Sequence, residues 1–315
     1  MYVICAGMYR AGSTWQYQVV SHIAENFLQG KTLGFLNADD LANKTYMAEQ
    51  ICVLKTHNAH SKFSNWLNTG QAIAVYCYRD LRDVAYSLAH MFRTDLDGIL
   101  GERDPTLPGE RRPMKTVLEN DEFWRKQRNT LTQRFEDMVA FPDRAVRQIA
   151  RHLNVNLSNN EVHLISGLFS LSENKKRILS FRGELQKNNI DPRQHTNGFL
   201  WDKRNLLHWN HIRTGKVGAW RKESTLRHRV KLALVCGEWL IANNYEATDD
   251  WICNDGRTIP VQTIEQLAAD LRDEFAGDVP RLNRLNQICK QLSNNRGRSL
   301  LRRVWKWLSG KHKAG

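Results

Sequence analysis

Residues 7–15 read Gly-Met-Tyr-Arg-Ala-Gly-Ser-Thr-Trp, a glycine-bracketed loop between two apolar segments of different period. The run before it, residues 1–6, predicts a short buried strand. The run after it, residues 13–28, carries Val19, Val20, Ile23 and Phe27 near helical spacing and predicts a helix. Strand, glycine loop and helix form a context in which backbone N–H groups and a helix N-terminus cradle a phosphate. Gly7 and Gly12 have the G-x-x-x-x-G spacing of an NTPase loop, but Ser13-Thr14 follow where an NTPase needs Lys and then Ser or Thr. The lysine that would reach β- and γ-phosphates is missing, and Arg10 sits inside the loop instead. Such a loop is expected to hold a 5′-phosphate without NTP chemistry.

Three further segments follow in order. Residues 51–57, Ile-Cys-Val-Leu-Lys-Thr-His, read as an apolar strand ending on Lys55 and His57. Residues 73–87 read as a buried strand ending at Arg79, then Asp80 as N-cap with Asp83 at N3, then a helix carrying Ser87. Residues 213–221 read Arg-Thr-Gly-Lys-Val-Gly-Ala-Trp-Arg, and between them lies Phe135-Glu136-Asp137. In an open α/β sheet ligands bind beyond the carboxyl ends of the strands, which favours a site role for Arg79. Asp80 and Asp83 are read as helix caps without a site role.

Taken together, the four segments and their order resemble the sulfotransferases that use 3′-phosphoadenosine 5′-phosphosulfate (PAPS), over about residues 1–245. The resemblance implies a three-layer α/β fold, a mostly parallel central sheet flanked by helices. It implies that Arg10, Ala11, Gly12, Ser13, Thr14 and Trp15 form the 5′-phosphosulfate loop, with Trp15 stacking on adenine. Arg79 and Ser87 bind the 3′-phosphate, Arg213, Thr214 and Gly215 close over it, and Phe135 lies near the adenine. It also implies His57 as the general base, with Lys55 and Arg10 stabilising the sulfonate and the leaving oxygen. PAPS is the implied sulfuryl donor, adenosine 3′,5′-bisphosphate the product, and no metal is required. Departures from the family pattern are Arg10 for a lysine, Phe135 for a tyrosine, Thr214 for a lysine of the clamp and Ala219 for an aspartate. Lys216 is a candidate replacement for the lysine missing at position 214.

Composition adds the setting. At 315 residues the chain can bury a sizeable core. No run of eighteen apolar residues occurs, and the strand and loop begin at residue 2, where a cleaved leader would take the site with it. The six cysteines, at 5, 52, 77, 236, 253 and 289, include no C-x-x-C pair, and the first three fall in strand runs as small buried hydrophobes. A reduced, cytoplasmic setting without zinc is expected. Of the 46 Lys and Arg residues, ten lie in residues 281–315, which contain no acid; the remaining 36 face 33 acidic residues. The catalytic body is therefore nearly neutral, and no nucleic-acid partner is expected.

The sequence divides into a catalytic domain, 1–249, and a basic helical extension, 250–315. Helices are expected over 116–132, 142–153, 223–243, 261–276, 280–293 and 298–309. Residues 94–115, with three prolines and three glycines, and residues 186–212, with His195, Trp201, His208, Trp209 and His211, read as two irregular walls of an acceptor site. On a helical wheel of residues 298–309, Leu300, Leu301, Val304, Trp305 and Leu308 oppose Arg298, Arg302 and Lys306, a pattern compatible with peripheral membrane contact. The acceptor is read as a small metabolite, glycan or lipid carrying a hydroxyl or amine. A P-loop nucleoside or sugar kinase is the alternative enzyme class, opposed by the missing lysine. A binding module for anionic polymers is opposed by the presence of Lys55 and His57.

Overall fold

The structure is a computed structural model that describes residues 1–36, 40, 50–101, 113–194, 200–253 and 260–293. Five strands form one sheet in the order β2 (Lys31–Phe35), β3 (Cys52–Lys55), β1 (Tyr2–Gly7), β4 (Ala72–Tyr78) and β5 (Thr130–Arg134). Every neighbouring pair is parallel. The expected α/β architecture is present.

Alternation along the central strands splits the core into two layers. Val3, Cys5, Val53 and Val75 face α1 (Ser13–Phe27) through Val19, Val20 and Ile23. The same layer includes Val146 and Ile149, and Val162 and Ile165. Ile4, Ala6, Leu54, Ala74 and Tyr76 point the other way, onto Phe63, Leu67 and Trp124. Burial on both faces is why these strands read as near-continuous apolar runs, and each fully buried large side chain contributes about 1.5–3 kcal/mol. Cys5, Cys52 and Cys77 are free and buried, as their strand positions predict.

The remaining helices of the first unit are α2 (Ser61–Asn68), α3 (Leu81–Phe92), α4 (Leu96–Leu100), α5 (Pro113–Arg125), α6 (Phe135–Ala140), α7 (Pro142–His152), α8 (Asn159–Leu168) and α9 (Leu171–Lys187). Pro142 sits in the first turn of α7, as expected. The helix expected over 116–132 is shorter: α5 ends at Arg125, Asn129 turns the chain with φ 53°, and Thr130 opens an edge strand. Thr130 and Thr132 are β-branched, and pairing with Ala74 and Tyr76 of β4 overrides the weak helical pattern. Strand β2 was not anticipated; it is a polar edge strand with Gly34 at φ 79° beside a register shift.

The two irregular walls contain more structure than expected. Helix α4 occupies part of 94–115, and residues 102–112 lie outside the described residues. Helix α9 runs into the second wall, where β6 (Trp201–Asp202) pairs antiparallel with β7 (Leu207–His208). His195 lies outside the described residues.

The chain divides into two compact units, Met1–Ala219 and the part from Trp220 onward, against an expected boundary at 249. The second unit contains α10 (Trp220–Glu223), α11 (Leu226–Ala242), a 3-10 turn at Asp249–Cys253, α12 (Val261–Glu274) and α13 (279–293). The helix expected over 223–243 is α11, which starts at Leu226 because Thr225 caps it by accepting the His228 N–H. Within this unit Lys231, fully buried, pairs with Glu274. The basic amphipathic segment 298–309 lies outside the described residues.

Candidate active site

Parallel pairing brings the sequence motifs to one edge. β1 ends at Gly7, β3 at Lys55, β4 at Tyr78 just before Arg79, and β5 at Arg134 just before Phe135. The register aligns Cys5 with Lys55, Gly7 with Cys77 and Tyr78 with Arg134. The glycine loop, Lys55, Arg79 and Phe135 therefore stand in a row at the carboxyl ends of adjacent strands, where a parallel sheet binds its ligands.

The loop needs both glycines. A Cβ on Gly7 would come within 2.7 Å of both Cys77 Sγ and Ser13 Cβ. Gly12 has φ 89° and a Cβ there would meet the Phe135 ring at 3.0 Å. Arg10 also takes the left-handed conformation, φ 64°. From Gly12 the chain enters α1, whose N-terminus has no side-chain cap and no acidic residue in its first turn. Its early N–H groups, with the positive end of the helix dipole, are available to an anion.

Around the loop the cations interlock. Lys55 Nζ donates to Thr14 Oγ1 at 2.8 Å. Arg10 donates through Nε to Ser87 Oγ at 2.8 Å and through its other arm to the His211 carbonyl. Arg79 donates to the Arg10 carbonyl at 3.2 Å, to the Lys216 carbonyl at 2.9 Å and to Asp83 at 3.0 Å. Its guanidinium lies 4.3 Å from the Phe135 ring centre. Asp83 also accepts the Gly218 N–H at 2.8 Å, which anchors the 213–218 turn to α3. A cavity of about 350 Å³ opens among these groups, lined on its polar side by Arg10, Thr14, Arg79, Ser87, Arg213 and Thr214. Trp15, Phe135, Phe169 and Leu171 supply apolar lining.

Residues 2–244 match the sulfotransferase domain family. The chain belongs to the sulfotransferase family. As an enzyme it is of the PAPS-dependent sulfotransferase class. Among solved structures it is similar to retinol dehydratase in complex with androsterone and the inactive cofactor PAP, at TM-score 0.50 and 18% identity over 79% of this chain and 81% of that one. Retinol dehydratase with retinol and PAP gives TM-score 0.53 and 21% identity, covering 79% and 82%. Mouse sulfotransferase SULT7A1 complexed with PAP gives 0.52 and 16%, covering 76% and 84%. No curated protein matches the sequence.

The reactive side of this sulfotransferase is set by burial. His57 Nδ1 lies 2.7 Å from the Gly7 carbonyl, and its ring stacks on Tyr9 with centres 4.4 Å apart. A carbonyl only accepts, so Nδ1 carries the proton and Nε2 keeps its lone pair. Desolvation, aided by Lys55, lowers the His57 pKa to about 3. Desolvation likewise lowers Lys55 to about 8 and Arg10 to about 10, the latter helped by Arg79 and Arg213. His208 falls to about 4 and His211 is well below its ordinary value, both mainly by burial and then by Lys55 and Arg10. The two rings stack, 5.6 Å apart and 9° from parallel.

Most sequence-selected residues thus converge. Arg10, Gly12, Thr14, Trp15, Arg79, Ser87, Phe135, Arg213, Thr214 and Gly215 line one cavity; Ala11 and Ser13 are buried in the same loop. Lys55 and His57 are outside that lining, with Lys55 reaching it through Thr14. Asp80 caps α3 as expected, accepting the Arg82 N–H. Asp83, read from the sequence only as a cap, instead lines the cavity and holds both Arg79 and Gly218. Its position four residues after Arg79 was the available signal. Tyr9, which braces His57, had none. Among the described residues no three His, Cys, Asp or Glu side chains gather as a metal site.

Proposed function

We propose that this sulfotransferase moves the sulfuryl group of PAPS to a hydroxyl or amine of a small acceptor, with His57 as general base. The supporting observation is a cavity lined both by the start of an uncapped helix and by three guanidinium groups, Arg10, Arg79 and Arg213. Burial, then Arg79 and Arg213, lower the Arg10 pKa, and the three guanidinium groups concentrate positive charge that a doubly phosphorylated nucleotide would neutralise. Buried Arg79 Nε makes no hydrogen bond within the protein, leaving a donor for such a ligand.

In this reading the loop amides and Thr14 hold the 5′-phosphosulfate, and Arg79 with Ser87 holds the 3′-phosphate. Trp15 and Phe135 flank the adenine. The acceptor oxygen or nitrogen attacks sulfur while His57 Nε2 takes its proton. The new bond to sulfur forms as the bond from sulfur to the bridging phosphate oxygen breaks, and adenosine 3′,5′-bisphosphate leaves. Lys55, kept next to the loop by Thr14, stabilises the charge that grows on the departing oxygen. Geometry and charge supply most of the catalysis, as in phosphoryl transfer. A small acceptor is the reading supported by likeness to structures holding androsterone and retinol. We place the enzyme in the cytoplasm on the sequence pattern; no helix among the described residues is long and apolar enough to cross a membrane.

Calorimetry with adenosine 3′,5′-bisphosphate and AMP, followed by a PAPS sulfonation screen, tests the reading. The bisphosphate binds far more tightly than AMP. Arg79→Ala removes ~1.5–3 kcal/mol of charge-assisted contact, roughly ten- to a hundredfold in bisphosphate affinity. Equal binding of the two nucleotides by the wild type refutes the assignment.

A further inference from the structure

We propose that Arg10, though it stands in the 5′-phosphate loop, serves the 3′-phosphate of the nucleotide and supplies the cation that Thr214 lacks. This rests on the PAPS reading above. A cation at position 10 could face either end of the loop. The left-handed backbone at Arg10, φ 64°, turns its side chain to α3, where Nε meets Ser87 Oγ at 2.8 Å and Nη1 approaches Met91 Sδ at 3.8 Å. Neither group belongs to the sulfonate side, which is held by Lys55 and Thr14. Arg79 and Arg213, the two arginines that lower the Arg10 pKa, line the same cavity wall.

Thr214 cannot supply that charge, and its hydroxyl accepts the Lys216 N–H at 3.2 Å. Lys216 does not replace it either. Its backbone carbonyl is the group that reaches the site, through Arg79, while the residue is exposed and absent from the cavity wall. Arg10 lines the wall beside Ser87 and is braced by the His211 carbonyl, two residues before Arg213. The guanidinium thus ties the loop to α3 and to His211, just ahead of the 213–218 turn. An arriving phosphate takes the Ser87 hydroxyl and meets Arg10, Arg79 and Arg213 together. The sulfonate is left to Lys55 and the loop amides.

Bisphosphate and AMP affinities of Arg10→Ala and of Arg10→Ala/Thr214→Lys, with donor KM and kcat, test this assignment. The single variant loses roughly ten- to a hundredfold in bisphosphate affinity, as expected for one charge-assisted contact, and its preference over AMP shrinks by the same factor. Most of its loss in kcat/KM appears in donor KM, and Thr214→Lys restores much of the preference. Retained bisphosphate preference with a collapsed kcat overturns the proposal and returns Arg10 to the sulfonate. Should Arg10→Ala not fold, Arg10→Gln, which keeps a polar side chain and removes the charge, is read the same way: unchanged preference overturns the proposal. A wild type that does not distinguish the two nucleotides refutes the PAPS reading itself, a result separate from failure at Arg10.

Discussion

At the scale of single residues, the working parts of this sulfotransferase are defined by what burial does to charge. His57 is neutral throughout the physiological range because its conjugate acid is desolvated beside Lys55, its pKa held at about 3. It is therefore always in the base form, and kcat/KM should show no acidic limb near pH 6.5. The limb that does appear is alkaline: Lys55 loses its proton near pH 8 in the free enzyme, and activity falls as pH rises through that value. A pH–rate profile with a good acceptor checks both statements, and Lys55→Arg should move the alkaline limb out of range. His57→Ala is expected to cut kcat by ~10²–10⁴-fold while bisphosphate affinity holds, because His57 is outside the nucleotide cavity. A loss of only a few-fold would move the base to another group, with His208 and His211 the next to replace.

Helix α3 shows how one element organises a site. Its cap, Asp80, holds Arg82; its first turn presents Asp83 to Arg79; and one turn later Ser87 meets Arg10. Asp83 and Arg79 are both nearly inaccessible, so the carboxylate is the buried counter-ion of Arg79. Asp83→Ala strips that partner and releases the Gly218 N–H. Breaking a buried pair from one side costs about 3–5 kcal/mol, readable in denaturant unfolding of the unliganded protein. Adenosine 3′,5′-bisphosphate should recover part of that loss, because its phosphate supplies the missing negative charge. Equal destabilisation with and without the nucleotide would assign Asp83 a purely structural role.

For the molecule as a whole, the site's electrostatics reach into stability. His57, His208 and His211 are all held below their ordinary pKa by burial, so folding favours their neutral forms. Their contribution is intact above about pH 6.5, the unfolded value. It is lost as pH falls toward the folded values, because the unfolded chain then binds protons that the folded chain refuses. The melting temperature should therefore fall steadily from pH 6.5 toward pH 4, and His208→Gln should flatten that slope. In the opposite direction, bisphosphate at a hundred times its Kd should add about 2.7 kcal/mol of stability, seen as a rise in melting temperature that AMP at the same concentration does not produce.

Much of this was legible in the chain because the motifs are local. A strand, a glycine turn and a helix N-terminus declare themselves within fifteen residues, and a cap such as Asp80 needs only its own helix. The cysteines of the strand runs and Pro142 at the start of α7 were readable for the same reason. Strand β5 was not. Thr-Leu-Thr-Gln-Arg has one large apolar residue and becomes a strand only by pairing with β4, a partner more than fifty residues away. The contacts of Arg10 with Ser87 and of Asp83 with Gly218 also lay beyond the sequence. Residue type gave each a charge, but only the fold placed Ser87 in front of one and Arg79 with Gly218 in front of the other. Local sequence determined which segments could hold a phosphate, since turn and cap chemistry acts over a few bonds. Tertiary structure decided which charge meets which, since side chains separated by up to two hundred residues share a site only after the sheet has aligned them.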